Sequence, residues 1–319
     1  MLISVILEWE NALLSELDRT QRMLEAFFYQ SRKIDYDFEI LIVHDPTFVK
    51  EEFIKSFIKS SVEDITEDEV TSIRFIPRQG LHYFALKNVG VEEANGETLI
   101  LLDSDVIPED NWLQKLLESH LAHKEALIGG LAYIDYSTFM GKCFGLGWFF
   151  PQKTEDNSLV QSRIIFSNNF IVDRETLLKN PYPELDGEVT RGADLLLWNS
   201  LREKGFQILV NKGAKVSHPA PNGINHFLVR GLAEGRDVYF NQKKSKTPGK
   251  IPAIQFFKIQ LIKSWKVIKY SISRGDLVEL KWWQIPFAII VMLFYYLLFL
   301  IGGISSMIFP KATRRAWQI

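Results

Sequence analysis

Residues 83–117 read YFALKNVGVEEANGETLILLDSDVIPEDNWLQKLL, and this stretch decides the fold class. A helical pattern over residues 83–94 is followed by an apolar strand pattern over residues 98–102, which ends in Asp103-Ser104-Asp105. Two carboxylates two residues apart reach one cation only where the chain turns, and residues 106–108 allow a turn. Oxygen ligands suit Mg²⁺ or Mn²⁺, which also bind phosphates. Taken alone, Asp-Ser-Asp leaves a cation site and an ordinary turn as open alternatives.

The alternation of strand and helix continues toward the N-terminus. Residues 2–7 and 38–43 are short apolar runs with strand character, and residues 15–29 between them have helical spacing. A helix at residues 50–60 and a strand at residues 72–76 extend the series. This order predicts an α/β domain with a mostly parallel sheet and helices on both faces. Ligands of such sheets bind at the carboxyl ends of the strands, so the polar residues there are the candidates.

Charge divides the chain into two parts. Residues 1–242 hold 24 Lys and Arg against 37 Asp and Glu, whereas residues 243–319 hold 13 against 2. The acidic part would repel a phosphate backbone, so no nucleic-acid partner is expected. The single cysteine cannot form an internal disulfide, and no Cys and His residues have zinc-site spacing, so the bulk of the chain is expected in the cytoplasm.

The C-terminal part predicts two membrane segments. Residues 285–309 are almost wholly apolar, long enough for one transmembrane helix; a buried helix of a soluble core is the alternative. Residues 243–274 contain nine Lys and Arg and no acid, with basic and apolar residues on different helical faces. This pattern is typical of an amphipathic helix in the membrane interface that binds anionic lipids, with docking on the globular domain as the alternative.

The cations around the apolar segment predict its orientation. Six precede it and three follow it, which favours the N-terminal side as cytoplasmic: Lys258, Lys263, Lys266, Lys269, Arg274 and Lys281 before, Lys311, Arg314 and Arg315 after. We therefore expect a single-pass protein of the cell membrane with its globular domain on the cytoplasmic face. The predicted domains are residues 1–242, an interfacial segment at 243–281, and a transmembrane helix with a short tail at 282–319.

Several segments together resemble the inverting family 2 glycosyltransferases. Residues 83–117 resemble the family segment that runs from an Ala-Arg-Asn-x-Gly helix to an Asp-x-Asp strand end and a Trp-Leu helix. SVILEWEN (4–11), EILIVHDP (39–46), SNNFIVDRETL (167–177) and RGADLLLWNSLREKGFQI (191–208) resemble further landmarks in the family order. The resemblance implies a GT-A fold over about residues 2–240. It also implies transfer of a sugar with inversion from a nucleoside-diphosphate sugar, a UDP-sugar by preference, to a lipid-linked or glycan acceptor.

The resemblance also assigns roles to single residues. It places Mg²⁺ or Mn²⁺ at Asp105, with Asp103 near the metal or the ribose and Ser104 between them. Asp194 aligns with the general base that deprotonates the acceptor hydroxyl, although it also fits an N-cap of the next helix. His218 follows an apolar strand and is either a third metal ligand or a buried, hydrogen-bonded histidine.

Donor binding is expected of further polar residues, namely Glu10, Asp45, Lys87, Arg230 and Arg236. The two arginines suit a diphosphate, and the alternative is that they are surface charges on a helix beside Glu234 and Asp237.

The chain departs from the family pattern in a few places: Glu8 replaces a proline, Glu10 an aromatic residue, His44 the first of two aspartates, and Ala193 a glutamate. Asp45 is then the surviving candidate for contact with the base.

Two other functions fit parts of the sequence. A sugar-nucleotidyltransferase is disfavoured because residues 2–12 lack the glycines of a phosphate loop. A non-catalytic membrane scaffold is conceivable from the glutamate lost at position 193, but Asp103, Asp105 and Asp194 are all present. The glycine- and aromatic-rich residues 139–151 predict an acceptor loop, a membrane-dipping element or a buried hairpin.

Overall fold

The structure is a computed structural model that describes all residues except 15–16, 67–68, 70–71, 185–190, 245–252, 315 and 318–319. The predicted helix start at Ser15 and the predicted flanking cation Arg315 thus lie outside the described residues. The chain divides into two compact units. The first comprises Met1–Ala132, Thr154–Glu184 and Ala193–His218, and the second comprises Tyr133–Lys153, Leu185–Gly192 and Pro219–Ile319. The second unit therefore begins before the predicted boundary at residue 242.

The secondary structure follows the predicted alternation. The strands are β1 (Leu2–Glu8), β2 (Asp37–His44), β3 (Ile73–Pro77), β4 (Thr98–Asp103), β5 (Ile107–Pro108), β6 (Leu127–Ile134), β7 (Leu159–Gln161), β8 (Asn169–Asp173) and β9 (Ile208–His218). The helices are α1 (Glu10–Leu14), α2 (Leu17–Ser31), α3 (Glu51–Ser61), α4 (Tyr83–Glu93), α5 (Trp112–Ala122), α6 (Phe139–Gly147), α7 (Arg174–Lys179), α8 (Ala193–Glu203), α9 (Gly223–Lys244), α10 (Ala253–Ser273), α11 (Ile285–Ile308) and α12 (Pro310–Thr313).

The first unit is built on a nine-stranded mixed sheet. Its order is β3-β2-β1-β4-β8-β6-β9-β5, with β7 paired to β9. Strands β3, β2, β1 and β4 are parallel, as predicted, whereas β8 pairs antiparallel with both β4 and β6. The α/β class is confirmed. The antiparallel strands come later in the sequence than the residues in which strands and helices alternate regularly.

Helices cover both faces of this sheet. Ile6, Leu101 and Phe170 are register partners across β1, β4 and β8, so their side chains share one face. On that face α4 packs with Gly90 directly over Ile6, and Trp198 of α8 meets the Phe170 ring edge-on. On the opposite face, the Trp112 indole of α5 donates a hydrogen bond to Asn169 at 2.6 Å. The sheet is therefore the middle layer of three.

A buried carboxylate anchors the N-terminal ends of these strands. Glu39 of β2 accepts hydrogen bonds from the Ser4 hydroxyl, from the backbone and side chain of Asn95, and from the Gly96 N–H. Arg74 adds an ion pair at 3.2 Å. Burial raises the pKa of Glu39, but the hydrogen bonds outweigh burial and the net pKa is lowered. This network connects β1, β2 and β3 with the loop before β4.

The second unit is helical, and α11 lies against α6, α9 and α10. Close approach of α9 and α11 depends on glycine: a Cβ on Gly235 would overlap the Phe299 carbonyl, and one on Gly302 would overlap the Leu232 carbonyl. Residues 282–308 have a mean hydropathy of 2.6 over the most apolar 18-residue window, sufficient by length and composition to cross a membrane. An apolar stripe on α11 stays exposed, formed by Phe287, Ile290, Phe294, Leu297 and Ile301.

Helix α10 confirms the predicted amphipathic segment but packs through an unexpected face. Phe257, Leu261 and Trp265 of the predicted apolar face are exposed, with Trp265 at 68%. Among the described side chains of this helix, Gln260, Val267 and Ser271 are buried. The predicted apolar face is therefore not the face by which α10 packs within its own unit, and its binding to a membrane interface stays a prediction.

Candidate functional site

The candidate site lies in the first unit, at the carboxyl ends of β1 and β4. The parallel register places Glu8 beside Asp103, and their side chains are on the face covered by α4. Both residues are buried, with 0% and 3% of their surface exposed. Two carboxylates thus meet where two apolar strands end.

Helix α4 supplies the partners of Asp103. The buried Lys87 ammonium donates to Asp103 Oδ1 at 2.6 Å and to the Ser167 carbonyl at 3.0 Å. One turn earlier, the Tyr83 hydroxyl lies 2.8 Å from both Asp103 oxygens. From α1, the Asn11 amide donates to Asp103 Oδ2 at 3.1 Å and to Glu8 at 2.9 Å. The Asp103 carboxylate is consequently fixed from three directions.

The turn that carries Asp105 is attached to the end of β9. Arg19 of α2 donates to the Asp105 carbonyl at 3.0 Å and to the Ser217 carbonyl at 2.8 Å. Strand β5 pairs antiparallel with β9, with Ile107 opposite Ser217. Continuing that register by one residue puts His218 opposite Val106. The structure thus brings the His218 backbone next to the turn, as a shared cation site requires.

The site groups several carboxyl groups around one buried lysine. Burial raises the pKa of Glu8 well above its ordinary value, and the charge of Asp103 raises it further against the opposing charge of Lys87. Burial likewise raises the pKa of Asp103, which Lys87 lowers and Asp105 raises. The ionised forms of these carboxyl groups are therefore disfavoured, and a bound cation would favour them.

Asp194 lies in the first turn of α8, not at its N-cap, because the helix begins at Ala193. Its carboxylate accepts the Leu195 N–H at 2.8 Å. Burial raises the pKa of Asp194, hydrogen bonds oppose the rise, and the charge of Asp103 adds to it. Asp194 and Asp103 are therefore within electrostatic range of each other.

A divalent cation fits this donor set. The carboxylate oxygens are hard ligands of the kind that Mg²⁺ and Mn²⁺ prefer, and the negative excess would be reduced by a cation. Within the described part of the chain, no three His, Cys, Asp or Glu residues form a group able to hold a metal ion by themselves. Mg²⁺ sites of this type use one or two carboxylates and take further ligands from substrate phosphates. A site of this type would be completed by the phosphate oxygens of a bound ligand.

Two predicted donor residues lie at neighbouring strand ends. The Asp45 carboxylate accepts hydrogen bonds from Thr47 at 2.8 and 2.6 Å and from the Gly80 N–H at 2.6 Å. Burial raises the pKa of Asp45, but these hydrogen bonds outweigh it and lower the pKa overall. Asp45 therefore organises its own loop. Glu10 lies 4.0 Å from His82, the residue before α4. Contact of either residue with a nucleotide stays a prediction.

The two predicted arginines belong to the second unit. Arg230 pairs with Glu234 at 3.0 Å, and its guanidinium lies 5.2 Å from the Trp148 ring centroid. Arg236 is fully buried, donates to Asp237 at 2.7 Å and bonds the Ala316 carbonyl. This burial favours a structural role for Arg236, and its predicted contact with a diphosphate is without support in the contacts of the described residues.

Two residues of the site were missed in the sequence: Tyr83 and Arg19. The i, i+4 spacing of Tyr83 and Lys87 places both on one face of α4, and that spacing was a usable signal. Arg19 gave no comparable signal, because its contacts are to backbone carbonyls of residues 86 and 198 positions away.

Comparisons with known proteins agree with this geometry. Residues 14–142 match the family model described as "Glycosyl transferase family 2". Among solved structures, a mannosyltransferase from Pyrobaculum calidifontis in complex with GDP-Man and Mn²⁺ is similar, with a TM-score of 0.59 and 12% sequence identity over 97% of this chain and 87% of that chain. A comparison with curated proteins gave no match. The structural likeness shows that the fold is of the GT-A type.

Proposed function

We propose that the protein is a glycosyltransferase of the family 2 type that uses a divalent cation and transfers a sugar, with inversion, from a nucleoside-diphosphate sugar to a lipid-linked or glycan acceptor. The observation that carries the proposal is the group of buried carboxylates at the ends of β1 and β4, balanced only in part by Lys87. On this fold, a donor diphosphate with its cation is the ligand that such an excess of negative charge accommodates.

In the proposed site Asp105 is the principal cation ligand. Asp103 is already held by Lys87, Tyr83 and Asn11, so its position is fixed before any ligand binds. His218 is a further ligand in the proposal, supported by the β5–β9 register. The chemistry that Mg²⁺ or Mn²⁺ supplies in such a site is neutralisation of the departing diphosphate.

Asp194 is the proposed general base. Transfer with inversion requires that the acceptor hydroxyl lose its proton as it attacks the anomeric carbon, and a carboxylate is a suitable acceptor of that proton. Its raised pKa strengthens it as a base relative to an ordinary aspartate. We expect the base to act in its ionised form, so transfer should rise with pH through the pKa of Asp194.

Nucleotide binding by calorimetry tests the donor and cation sites together. A panel of UDP-sugars and GDP-sugars with Mn²⁺ identifies the donor, since the sequence favours UDP and the similar mannosyltransferase was solved with GDP-Man. Asp105→Ala should abolish nucleotide binding, whereas Asp110→Ala, an exposed aspartate of the same unit, should retain it. Equal affinity of Asp105→Ala and the unchanged protein in Mn²⁺, or an affinity of the unchanged protein that chelator does not lower, would refute the cation site.

We further propose that the protein is anchored in the cell membrane with the first unit on the cytoplasmic face. The exposed apolar stripe of α11 and the basic, apolar surface of α10 support this location. Protease treatment of sealed, right-side-out cells should remove a C-terminal epitope and spare the first unit. Digestion of the first unit with protection of the epitope would reverse the orientation.

A further inference from the structure

A cavity of the first unit lies apart from the carboxylates of the candidate site, and the proposed transfer does not use it. It has a volume of about 400 Å³ and opens between the C-terminal end of α2 and the turn that precedes α5. Pockets that bind small ligands begin at about this size. Along α2, Arg19 at the candidate site and Tyr29 in the cavity are ten residues apart, which corresponds to about 15 Å. The cavity is therefore a separate site within the same unit.

The side of the cavity that α2 contributes carries an exposed aromatic ring. Tyr29 is 57% exposed, although an aromatic side chain gains free energy from burial. The Lys33 ammonium lies 3.4 Å from the centroid of this ring, and this cation–π contact holds the ring in place. Among the described residues, the Tyr29 hydroxyl has no hydrogen-bond partner. The ring therefore offers a fixed apolar face and a polar edge to a ligand.

A buried glutamine joins the two sides of the cavity. Gln30 of α2 is 6% exposed, and its side chain donates to the Glu109 carbonyl at 3.1 Å. Its carbonyl oxygen accepts the Leu113 N–H at 3.0 Å. This second bond satisfies one of the N–H groups at the start of α5, which is the usual task of an N-cap side chain. The cavity is thus preformed.

Asn111 is consequently not needed as a cap of α5. It is the N-cap residue, its φ is 60°, and its side chain makes no capping hydrogen bond. Gln114, one turn further on, is exposed, and its amide N–H donates to Glu118 at 2.8 Å. This bond leaves the Gln114 oxygen as an acceptor, and Asn111 keeps both a donor and an acceptor. The side of the cavity opposite Tyr29 therefore presents two amide groups that can bind hydroxyls.

The lining of the cavity favours one class of ligand. Its charged members, Lys33 and Asp110, have opposite signs, so the lining has no formal net charge and does not select an anion. An apolar ligand would leave the amide groups without partners, which costs free energy. A sugar ring has an apolar C–H face and a rim of hydroxyls that donate and accept hydrogen bonds. An aromatic face opposite planar amides matches both features.

We infer that this cavity binds a neutral saccharide, with a sugar ring against Tyr29 and sugar hydroxyls on Asn111 and Gln114. The site holds the sugar and takes no part in bond making. Binding does not depend on transfer, but the identification of the saccharide as part of the glycan acceptor or product rests on the proposed function. A glycan of several sugars is long enough to extend from the candidate site to this cavity.

Saturation-transfer NMR of the full chain, in a detergent without a sugar head group, tests this inference. The probes are tetrasaccharides of mannose, glucose, galactose and N-acetylglucosamine at millimolar concentration without nucleotide. At least one of them should bind, and Tyr29→Ala should weaken its binding about 10-fold, the value of an aromatic contact. Tyr29→Phe keeps the ring and should retain most of the affinity. Binding of none of the four probes would overturn the inference.

Asn111→Gly provides a second variant in case Tyr29→Ala does not fold. Glycine adopts the positive φ of this position without strain, so the turn is kept while the amide group is lost. Saccharide binding should fall about 3- to 10-fold, the value of one hydrogen bond. An unchanged affinity in both Asn111→Gly and Tyr29→Ala would overturn the inference.

Phe53→Ala is the matched control for the loss of an exposed ring. Phe53 belongs to the same unit, is 46% exposed and lies outside the lining of the cavity. Its removal should leave saccharide binding unchanged. Equal losses in Phe53→Ala and Tyr29→Ala would overturn the inference, since they would show that the sugar contacts exposed rings in general.

Nucleotide binding with Mn²⁺ separates this cavity from the donor site. Asp105→Ala should bind the saccharide normally, and UDP or GDP with Mn²⁺ should not displace it. Displacement by the nucleotide would overturn the inference, because the sugar would then occupy the donor site. If the proposed transferase activity is absent, saccharide binding and its loss in Tyr29→Ala should persist, so the two failures are distinguishable.

Discussion

The two units differ in the charged side chains that they group together. Among the described residues, carboxylates outnumber cations at the ends of β1 and β4, whereas arginine and lysine outnumber carboxylates between the helices of the second unit. The groups are Glu8, Asp103, Asp105 and Asp194 with Lys87 and Arg19, against Arg191, Arg230, Arg236 and Lys263 with Glu234 and Asp237. Buried charge costs stability when it is not compensated. The comparison therefore gives two groups whose substitution should have different effects, and we expect a cation to bind at the first.

The largest expected effect is a loss of sugar transfer, and it should follow substitution in the acidic group of the first unit. Asp194→Asn keeps the shape of the side chain and removes the proton acceptor, so transfer should fall roughly 10²- to 10⁴-fold. Nucleotide binding and vesicle binding should stay unchanged, measured by calorimetry and flotation. Glu203→Gln removes a charge from the same helix and should retain transfer. If Asp194→Asn keeps near-normal turnover, Asp194 is not the base and has a structural role in the first turn of α8.

The second prediction concerns the dependence of the acidic group on the buried ammonium group of Lys87. Lys87→Met removes the buried partner of Asp103 and leaves that carboxylate uncompensated, which should lower the free energy of unfolding by about 3–5 kcal/mol. Lys115→Met is the matched change, because Lys115 donates to the Gly213 carbonyl at 3.0 Å and has no ion pair among the described residues. It should cost about 1 kcal/mol. Similar costs for the two variants in denaturant titration would contradict the importance of the Lys87–Asp103 pair.

The basic group depends on close packing of α9, which carries most of its members. Gly235→Ala should push α9 from α11 and destabilise the second unit by about 1–3 kcal/mol, the usual cost of overpacking. The rate at which Cys143 reacts with a maleimide measures this destabilisation. The Cys143 thiol is buried, and burial raises its pKa to about 12, so it should react slowly while the second unit is folded. Faster labelling is expected in Gly235→Ala, but not in Gly275→Ala, where a Cβ would lie 3.5 Å from Leu280.

The smallest expected effect is a gain in stability. Glu8 has a raised pKa in the folded state, so the folded protein binds more protons than the unfolded one above the ordinary value of 4.5. The contribution of Glu8 to stability is therefore present at low pH and lost as pH rises toward the raised pKa. Glu8→Gln should remove this loss and stabilise the metal-free protein at neutral pH by about 1 kcal/mol. A variant less stable than the unchanged protein at pH 7 would show that the Glu8 charge is well compensated.

The parallel half of the fold could be predicted because each of its strands is a short apolar run next to an amphipathic helix. Strand β5 is only two residues long, and it forms by pairing with β9. Strand β8 pairs antiparallel with β4 and β6. These pairings depend on contacts between distant residues, which a local sequence pattern does not predict. The position of Asp103 and Asp105 at a strand end could be predicted because they directly follow an apolar run. Arg19 was missed because its role is to bind carbonyls, and carbonyls are present in every residue. The packed face of α10 was missed because Gln260 and Ser271 carry no apolar signal.

The hydrogen bonds around Glu39 affect which amino-acid substitutions this fold can tolerate in evolution. It fixes the alignment of β1 with β4 at Ser4, four residues before Glu8, which corresponds to about 13 Å along a strand. Strand alignment is thereby guaranteed at one end of the sheet, while the reacting groups occupy the other. We expect substitutions at the predicted donor positions 10 and 104 to alter which sugar nucleotide is accepted without shifting any strand. A library that randomises those positions while keeping Glu39, Ser4 and Asn95 should therefore yield folded variants with new donor preferences.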